Sequence, residues 1–375
     1  MKHLAIVRTG ANVLNLKTYN CQELGLAKAL IKKGLRVTLV MAGNEAKVEE
    51  YACEGGSVFV HFLKFKCIDQ RFGYFLGIDK KLDELKPDLI QVHDLGIFMT
   101  WYVTKWAKNH TIPCYLIQGT YQTSPRFGIK QIEKFFCSTF GKYTLKNVSG
   151  IGCKTIMASR FIKGIYNNRD TMLTYIGLDD NRFHNHIAKD WRKELGLENK
   201  RVMLYVGIME ERRRPHFLVD IIKNLPEEYV LVLVGKGPQW EDLKKRVESE
   251  NQQKRVLLLG KLGQEVLPSL YEQSDLFLLA SEYEIYGMVL LESMYFGLPV
   301  ISSFTAGSET LIESGKDSII IDEFDVNKWS NTIVELCSTE KKLSSMGLDA
   351  KRKIKERFVW DKAVDTFINL YESKI

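Results

Sequence analysis

The chain has 375 residues, 45% of them hydrophobic and 26% charged, with a formal net charge of +7. That length predicts two domains, the composition is that of a soluble globular protein, and no apolar run reaches the roughly 18 residues of a membrane helix. The seven cysteines, Cys21, Cys53, Cys67, Cys114, Cys137, Cys153 and Cys337, make an odd set without a C-x-x-C pair, which argues against a disulfide framework or metal site and for reduced thiols in a cytoplasmic protein.

The N-terminus begins directly on a predicted strand, HLAIVR (3–8), with no apolar leader core ahead of it. Thr9-Gly10 and a loop through Asn15 follow, then a helix, CQELGLAKALIKKG (21–34), closed by Gly34. Strands are expected at RVTLV (36–40), SVFVHFL (57–63), DLIQV (88–92) and PCYLI (113–117). His93-Asp94 follows the fourth strand and Gln118-Gly119-Thr120 the fifth. Charge is uneven: residues 1–180 carry 25 Lys/Arg against 15 Asp/Glu, and 101–168 carry ten basic residues with one acid, Glu133. The segment RFGIKQIEKFFCSTFGKYTLK (126–146) sets Arg126, Lys130, Lys134, Lys142 and Lys146 among Phe127, Ile129, Ile132, Phe135, Phe136 and Phe140. Helical spacing gives an apolar face edged with cations, which fits a helix lying on an anionic membrane or a core helix with a solvated basic face. No nucleic-acid-binding motif accompanies the charge.

Asp179 to Lys200 is polar and aperiodic, the expected linker. Beyond it come strands RVMLYVG (201–207), YVLVLVG (229–235), RVLLLG (255–260), LFLLA (276–280), PVIS (299–302) and SIIID (318–322), with helices between them. The alternation in each half predicts α/β units with doubly wound parallel sheets, whose ligands lie at the C-terminal strand ends; two such sheets facing each other would place both sets of loops on a cleft. The last segment, FVWDKAVDTFINLYESKI (358–375), is an amphipathic helix.

The most informative stretch is SEYEIYGMVLLESMYFGLPVIS (281–302), a loop, a helix starting at Gly287 and a turn at Gly297-Leu298-Pro299. In one continuous helix Glu284 and Glu292 would stand about 12 Å and about 80° apart. With Glu284 in the loop, the chain folds back over the helix N-terminus and both carboxylates can line one pocket. Unpaired N–H groups near Tyr286 to Val289 suit a diphosphate there, and flanking carboxylates suit sugar hydroxyls. A core helix with two incidental acids fits the spacing equally.

This stretch resembles the E-x7-E signature of retaining glycosyltransferases of the GT-B fold, especially glycosyltransferase family 4. Val206-Gly207, Arg212-Arg213-Arg214, LVLVGKGP (231–238), LLLGKL (257–262), LPSLYEQSDLFLLAS (267–281), TAGSETLIESGKDSIII (305–321) and, upstream, YIGLDDNRF (175–183) follow in that family's order. The resemblance implies two Rossmann-like doubly wound parallel-sheet domains facing a cleft. Residues 1–185 would bind acceptor, 186–357 the nucleotide-sugar donor, and the helix 358–375 would pack back on the first domain, with Trp360 at the crossing.

It also implies roles. Glu292 would hold the donor ribose, Glu284 would face the transferred hexose, and the N–H groups of Tyr286, Gly287, Met288 and Val289 would hold the phosphates. Arg213 falls on the family's phosphate-binding lysine, while Ile208 stands where an arginine is usual; Arg212, Arg214 or a residue of the first domain is the substitute. Gly235, Lys236, Gly260 and Leu262 would border the nucleobase. Gly10 would approach the phosphates and His93 would serve the acceptor side. Gln118 stands where many relatives have histidine, and glutamine is no general base. No metal or other cofactor is expected beyond a UDP- or GDP-sugar donor. The expected activity is transfer to a glycan or lipid-linked glycan acceptor by front-face displacement, in bacterial-type surface polysaccharide synthesis, by a cytoplasmic protein touching the inner face of the membrane through its basic first domain. Rivals are a sugar-nucleotide epimerase and a silent subunit that binds nucleotide sugar without turnover.

Overall fold

Short runs of Val, Ile and Leu that are buried along their whole length form the middle of parallel sheets, because helices cover both faces of such sheets. The computed structural model describes residues 2–14, 16, 21–69, 71–123 and 129–373; Asn15, Arg126, Phe127 and Gly128 lie outside them. The chain divides into two units, residues 1–177 with 360–375, and residues 178–359. The divisions thus fall at 177/178 and 359/360 rather than at 185/186 and 357/358. The expected linker belongs to the second unit, where Trp191 is buried and its Nε1–H donates to Ser269 Oγ at 3.0 Å.

The first unit runs β1 (His3–Val7), α1 (Gln22–Lys32), β2 (Arg36–Ala42), β3 (Lys47–Cys53), β4 (Gly56–Leu63), β5 (Phe65–Cys67), β6 (Gly73–Phe75), α2 (Ile78–Leu85), β7 (Leu89–His93), α3 (Phe98–Asn109), β8 (Cys114–Gln118), α4 (Ile129–Phe136), α5 (Lys142–Asn147), β9 (Gly150–Cys153), α6 (Ile156–Ile165) and β10 (Met172–Leu173). Among the described residues its main sheet has the order β10-β9-β8-β7-β1-β2-β4-β3, parallel except for β3, which pairs antiparallel with β4; β5 and β6 form a separate ribbon. Alternate residues of β1 feed opposite cores: Ala5 and Val7 pack with Val92, Leu116 and Val103, while Leu4 and Ile6 pack with Leu30, Leu39 and Phe367. Helix α1 ends as expected: Gly34 takes φ +90°, and the N–H groups of Gly34 and Leu35 donate to Ile31 and Leu30 carbonyls at 2.8 and 3.1 Å.

The second unit runs α7 (Trp191–Glu194), β11 (Arg201–Val206), α8 (Pro215–Lys223), β12 (Tyr229–Val234), α9 (Trp240–Ser249), β13 (Val256–Gly260), α10 (Leu267–Glu272), β14 (Leu276–Leu279), α11 (Met288–Tyr295), β15 (Val300–Ser303), α12 (Ala306–Leu311), β16 (Ile319–Ile321), α13 (Val326–Cys337) and α14 (Glu340–Arg357). Its sheet has the order β13-β12-β11-β14-β15-β16, all parallel. In both sheets the strand order reverses beside the unit's first strand, between β1 and β7 and between β11 and β14. Ligands of doubly wound sheets bind at such reversals.

The last helix, α15 (Trp360–Glu372), belongs to the first unit. Two glycines admit Trp360: a Cβ on Gly25 would lie 2.2 Å from its Nε1, and one on Gly177 would lie 2.4 Å from its Cδ2. Gly25→Leu is expected to cost about 1–3 kcal/mol through overpacking and to speed amide exchange across residues 360–372; hydrogen exchange followed by mass spectrometry measures both the loss and its location.

Candidate functional site

At the reversal in the second unit, the loops after β11 and β14 are fastened together by charge. Arg212 Nη1 donates to the Tyr283 carbonyl at 2.7 Å, and the Glu282 N–H donates to the Arg212 carbonyl at 2.8 Å. Arg213 forms an ion pair with Glu284, and both side chains are largely buried. Arg214 Nε donates to Glu282 Oε1 at 2.7 Å, and Arg212 pairs with Glu210 at 2.6 Å. Two residues singled out from the sequence, Arg213 and Glu284, thus meet although 71 positions separate them. Ile208, at the position of the usual arginine, is an exposed apolar side chain.

Glu284 folds back over the start of α11. Gly287 holds φ +78° there, and a Cβ on it would lie 3.2 Å from Glu284 Cγ. The N–H of Leu290 donates to the Gly287 carbonyl at 2.9 Å. The N–H groups of Met288 and Val289 lie in the first turn, where no helix carbonyl precedes them, so they carry the partial positive charge that attracts an anion. Tyr286 and Gly287 precede the helix, and the Tyr286 side chain is buried. Gly307, near the start of α12, fixes this turn from behind: a Cβ on it would lie 2.1 Å from the Tyr286 carbonyl oxygen.

Glu292 lies inside α11 and is 2% exposed. Its Oε2 accepts from the Tyr271 hydroxyl at 2.9 Å, while its Oε1 is buried with no hydrogen-bond partner. Burial pushes its carboxyl up to about 8. A buried carboxyl short of a donor is costly, and a ligand hydroxyl would relieve it. Tyr271, which lies within the LPSLYEQSDLFLLAS stretch without a role implied by it, is itself held by stacking on Phe296 with centroids 5.6 Å apart.

Two further loops, after β12 and β13, converge on the β11 loop at Gly207. A Cβ on Gly235, whose φ is +126°, would lie 1.9 Å from the Gly207 carbonyl oxygen. The Gly235 N–H donates to the Gly260 carbonyl at 2.7 Å. Lys236 is exposed with its Nζ 5.0 Å from the Trp240 ring centroid, and Leu262 is half-buried. Gly207, Gly235 and Gly260 therefore form a glycine-lined edge where a flat ligand can approach backbone.

At the reversal in the first unit, a cavity of about 340 Å³ is lined by Gly10 and His93 with Arg8, Glu23, Arg71, Asp94 and Lys154 among others. Burial lowers the His93 imidazole to about 4, so the ring is neutral near pH 7. Asp94 is a loop clamp, its Oδ1 accepting the N–H groups of Gly119 and Thr120 at 2.8 and 2.9 Å. Gln118 is fully buried; its Oε1 accepts from the Leu95 N–H at 2.9 Å and its Nε2 donates to the Thr120 carbonyl at 2.7 Å. Both ends of that amide are committed to backbone, so Gln118 shapes the loop rather than touching a ligand. Glu23, Arg8 and Lys154 carried no sequence signal: an acid in a first helical turn reads as a partner of the helix dipole. Among the described residues no group of three His, Cys, Asp or Glu side chains is arranged to hold a metal, and no helix is long and apolar enough to cross a membrane.

Comparison with known proteins gives consistent relatives. The family described as "Glycosyl transferases group 1" matches residues 188–353. Spore coat protein SA of Bacillus subtilis is 28% identical over 54% of this chain and 58% of its own length. The chain thus spans little more than half the length of that relative. The UDP-Gal:alpha-D-GlcNAc-diphosphoundecaprenol alpha-1,3-galactosyltransferase of Escherichia coli is 32% identical over 79% of this chain and 78% of its own length. A crystal structure of Anabaena HepE in complex with UDP superposes with a TM-score of 0.75 over 98% of this chain and 99% of that one, at 16% identity, a likeness of fold.

The raised Glu292 carboxyl has a consequence for stability. Between its ordinary value of 4.5 and about 8 the folded state holds a proton that the unfolded chain has released, so stability is full below pH 4.5 and is lost as pH rises toward 8. Glu292→Gln is expected to remove this loss, on the order of 4–5 kcal/mol, so that unligated wild type and variant diverge in urea midpoint at pH 8 and converge near pH 5.

Proposed function

The chain belongs to the glycosyl transferases group 1 family, and on that premise we propose that it is an enzyme that moves a sugar from a nucleoside-diphosphate sugar to a hydroxyl acceptor. Its two doubly wound units are those of the GT-B fold. The observation that carries the reading is α11: an anion-attracting N-terminus overlain by the Arg213–Glu284 pair, with the orphaned Oε1 of Glu292 inside the same helix. The N–H groups of Met288 and Val289 and the guanidinium of Arg213 hold the diphosphate. Ribose hydroxyls, which both donate and accept, supply Glu292 Oε1 with its missing partner. Glu284, whose charge Arg213 balances before donor binds, accepts from hydroxyls of the transferred sugar. The glycine-lined edge at Gly235 and Gly260, with Lys236 and Leu262, borders the base. The UDP bound to Anabaena HepE, which shares the fold, supports UDP as the nucleotide.

In this reading transfer proceeds with retention, by front-face displacement. The glycosidic oxygen–phosphate group leaves with the bonding electrons, and one of its oxygens takes the proton of the attacking hydroxyl. Arg213 and Arg212 offset the charge that grows on the diphosphate, so neither a metal nor a strong protein base is needed. That agrees with a Gln118 held by backbone and a neutral His93. The acceptor is a glycan or lipid-linked glycan bound by the first unit, as the diphosphoundecaprenol-linked sugar of the Escherichia coli relative supports, and the setting is surface polysaccharide synthesis.

The basic segment fits a membrane-facing role. Helix α4 is anchored on one side by Phe136 and by an ion pair from Arg71 to buried Glu133. Its other side presents Ile132 and Phe135, 57% and 65% exposed, and Phe140 stands beside them with its ring 4.9 Å from Trp101. Lys130, Lys134 and Lys142 are exposed around them. Apolar tips within a cationic ring match an anionic bilayer surface, each cation contributing about 1 kcal/mol.

Calorimetry with UDP, GDP and ADP in the absence of metal is expected to show one nucleotide bound, with Arg213→Ala weakening it by about 1.5–3 kcal/mol. Binding of none of the three would refute the donor site. Phe135→Ser combined with Ile132→Ser is expected to abolish co-sedimentation with vesicles of mixed phosphatidylglycerol and phosphatidylcholine while nucleotide binding persists. Unchanged sedimentation would refute the membrane face.

A further inference from the structure

The cavity at the reversal of the first unit is lined by a carboxylate whose side-chain neighbours stand just beyond hydrogen-bond length. Glu23, in the first turn of α1, is 8% exposed. Its Oε1 stands 3.7 Å from Arg8 Nε and 3.8 Å from His93 Nδ1, beyond hydrogen-bond length in both cases, and its Oε2 accepts a weak thiol contact from Cys21 at 3.8 Å. Burial raises this carboxyl, but nearby positive charge, from Lys154 and Arg8 and from His93 only when it is protonated, holds the group below its ordinary value. The backbone N–H of Glu23 itself also reaches the carboxylate, and the 3.7–3.8 Å gaps to Arg8 and His93 leave room for a ligand hydroxyl between these side chains.

The imidazole across the gap is held in one tautomer by a buried relay. The Tyr371 hydroxyl donates to Gln91 Oε1, and Gln91 Nε2 lies 2.9 Å from His93 Nε2. The amide donates there, so His93 Nε2 accepts and Nδ1 carries the ring hydrogen, aimed at Glu23. An oxygen about 2.8 Å from both Nδ1 and Oε1 accepts from the first and donates to the second at ordinary lengths. Lys154, which lines the same cavity, makes no ion pair among the described residues and donates to Gln22 Oε1 at 3.0 Å. Its charge is available to an anionic group near that hydroxyl.

We propose that Glu23 and His93 together seat one hydroxyl of a sugar-phosphate acceptor, with Lys154 and Arg8 taking the phosphate, and that Gln91 and Tyr371 are positioning residues that set the His93 tautomer. The inference rests on the glycosyl-transfer reading. The seated hydroxyl is a non-reacting one, because the attacking hydroxyl gives its proton to the departing phosphate. Glu23 is thereby a specificity-determining residue: it selects an acceptor with a hydroxyl at a fixed distance from its phosphate.

The test is ¹⁵N NMR of the His93 ring in the full-length chain, titrated separately with α-D-glucose 1-phosphate, glucose and inorganic phosphate, with UDP binding followed by calorimetry on the same samples. Wild type is expected to show the Nδ1–H tautomer and a saturable ring shift with glucose 1-phosphate. Glu23→Gln is expected to weaken that binding at least about tenfold, as loss of a charged hydrogen bond does. Tyr371→Phe is expected to mix the tautomers, a change that a purely structural hydroxyl would not make. A single tautomer retained in Tyr371→Phe overturns the relay. No shift with glucose 1-phosphate, equal shifts from inorganic phosphate at equal affinity, or wild-type affinity in Glu23→Gln overturns the seat. UDP binding reports on the second unit alone, so failure of the donor reading is seen separately from failure here.

Discussion

Both units depend on one topological constraint. A parallel strand cannot be reached by a tight turn, so each connection crosses over the sheet. A sheet that begins in its middle and grows first to one side and then to the other leaves two neighbouring loops that leave in opposite directions. Here those pairs follow β1 and β7 in one unit and β11 and β14 in the other. Arg8, His93, Asp94, Arg212, Arg213 and Glu284 emerge from these four strand ends and Glu23 and Glu292 from helices that follow them, while Lys154, Lys236 and Tyr271 come from neighbouring elements. Glycine is needed where the loops crowd backbone on backbone, as at Gly235 against Gly207 and Gly307 against Tyr286.

The two sites handle buried charge differently. In the second unit Glu284 is paired in advance with Arg213. Among the described residues no ion pair reaches Glu292, and burial keeps its proton on. In the first unit Glu23 is kept ionised by cations that do not quite reach it. Each arrangement carries a cost that packing must offset, and in each the missing element is something a sugar or nucleotide carries: phosphate oxygens in one case, hydroxyl hydrogens in the other.

The central strands and the helix ends at Gly34 and Gly297 were legible in the sequence because burial on both faces forces continuous apolar runs and because left-handed turns call for glycine. Edge elements were not. KVEEYAC (47–53) is half solvated and charged, as an edge strand must be to avoid pairing with other chains, and so carries no apolar run. The strands Gly150–Cys153 and Met172–Leu173 are too short to show a period. The unit boundary was misplaced because 178–200, though polar, packs through single anchors such as Phe183 and Trp191. For the sites, resemblance supplied Glu284, Arg213 and Glu292, and local chemistry alone left them open. It also drew attention to Gln118, whose role is set by backbone partners no pattern displays. Glu23, Gln91 and Tyr371 meet only through the fold.

The first unit is interrupted by the second. Val364, Phe367 and Leu370 of α15 fill the same core as β1 and α1, so that core cannot close until the ribosome has passed residue 359. Unit 2 is contiguous and meets no such delay, which reverses the usual N-terminal-first order of synthesis-coupled folding. The hydroxyl of Tyr371 is among the last contacts to form. A nascent or C-terminally clipped chain would therefore hold a folded second unit while the first still lacked part of its core.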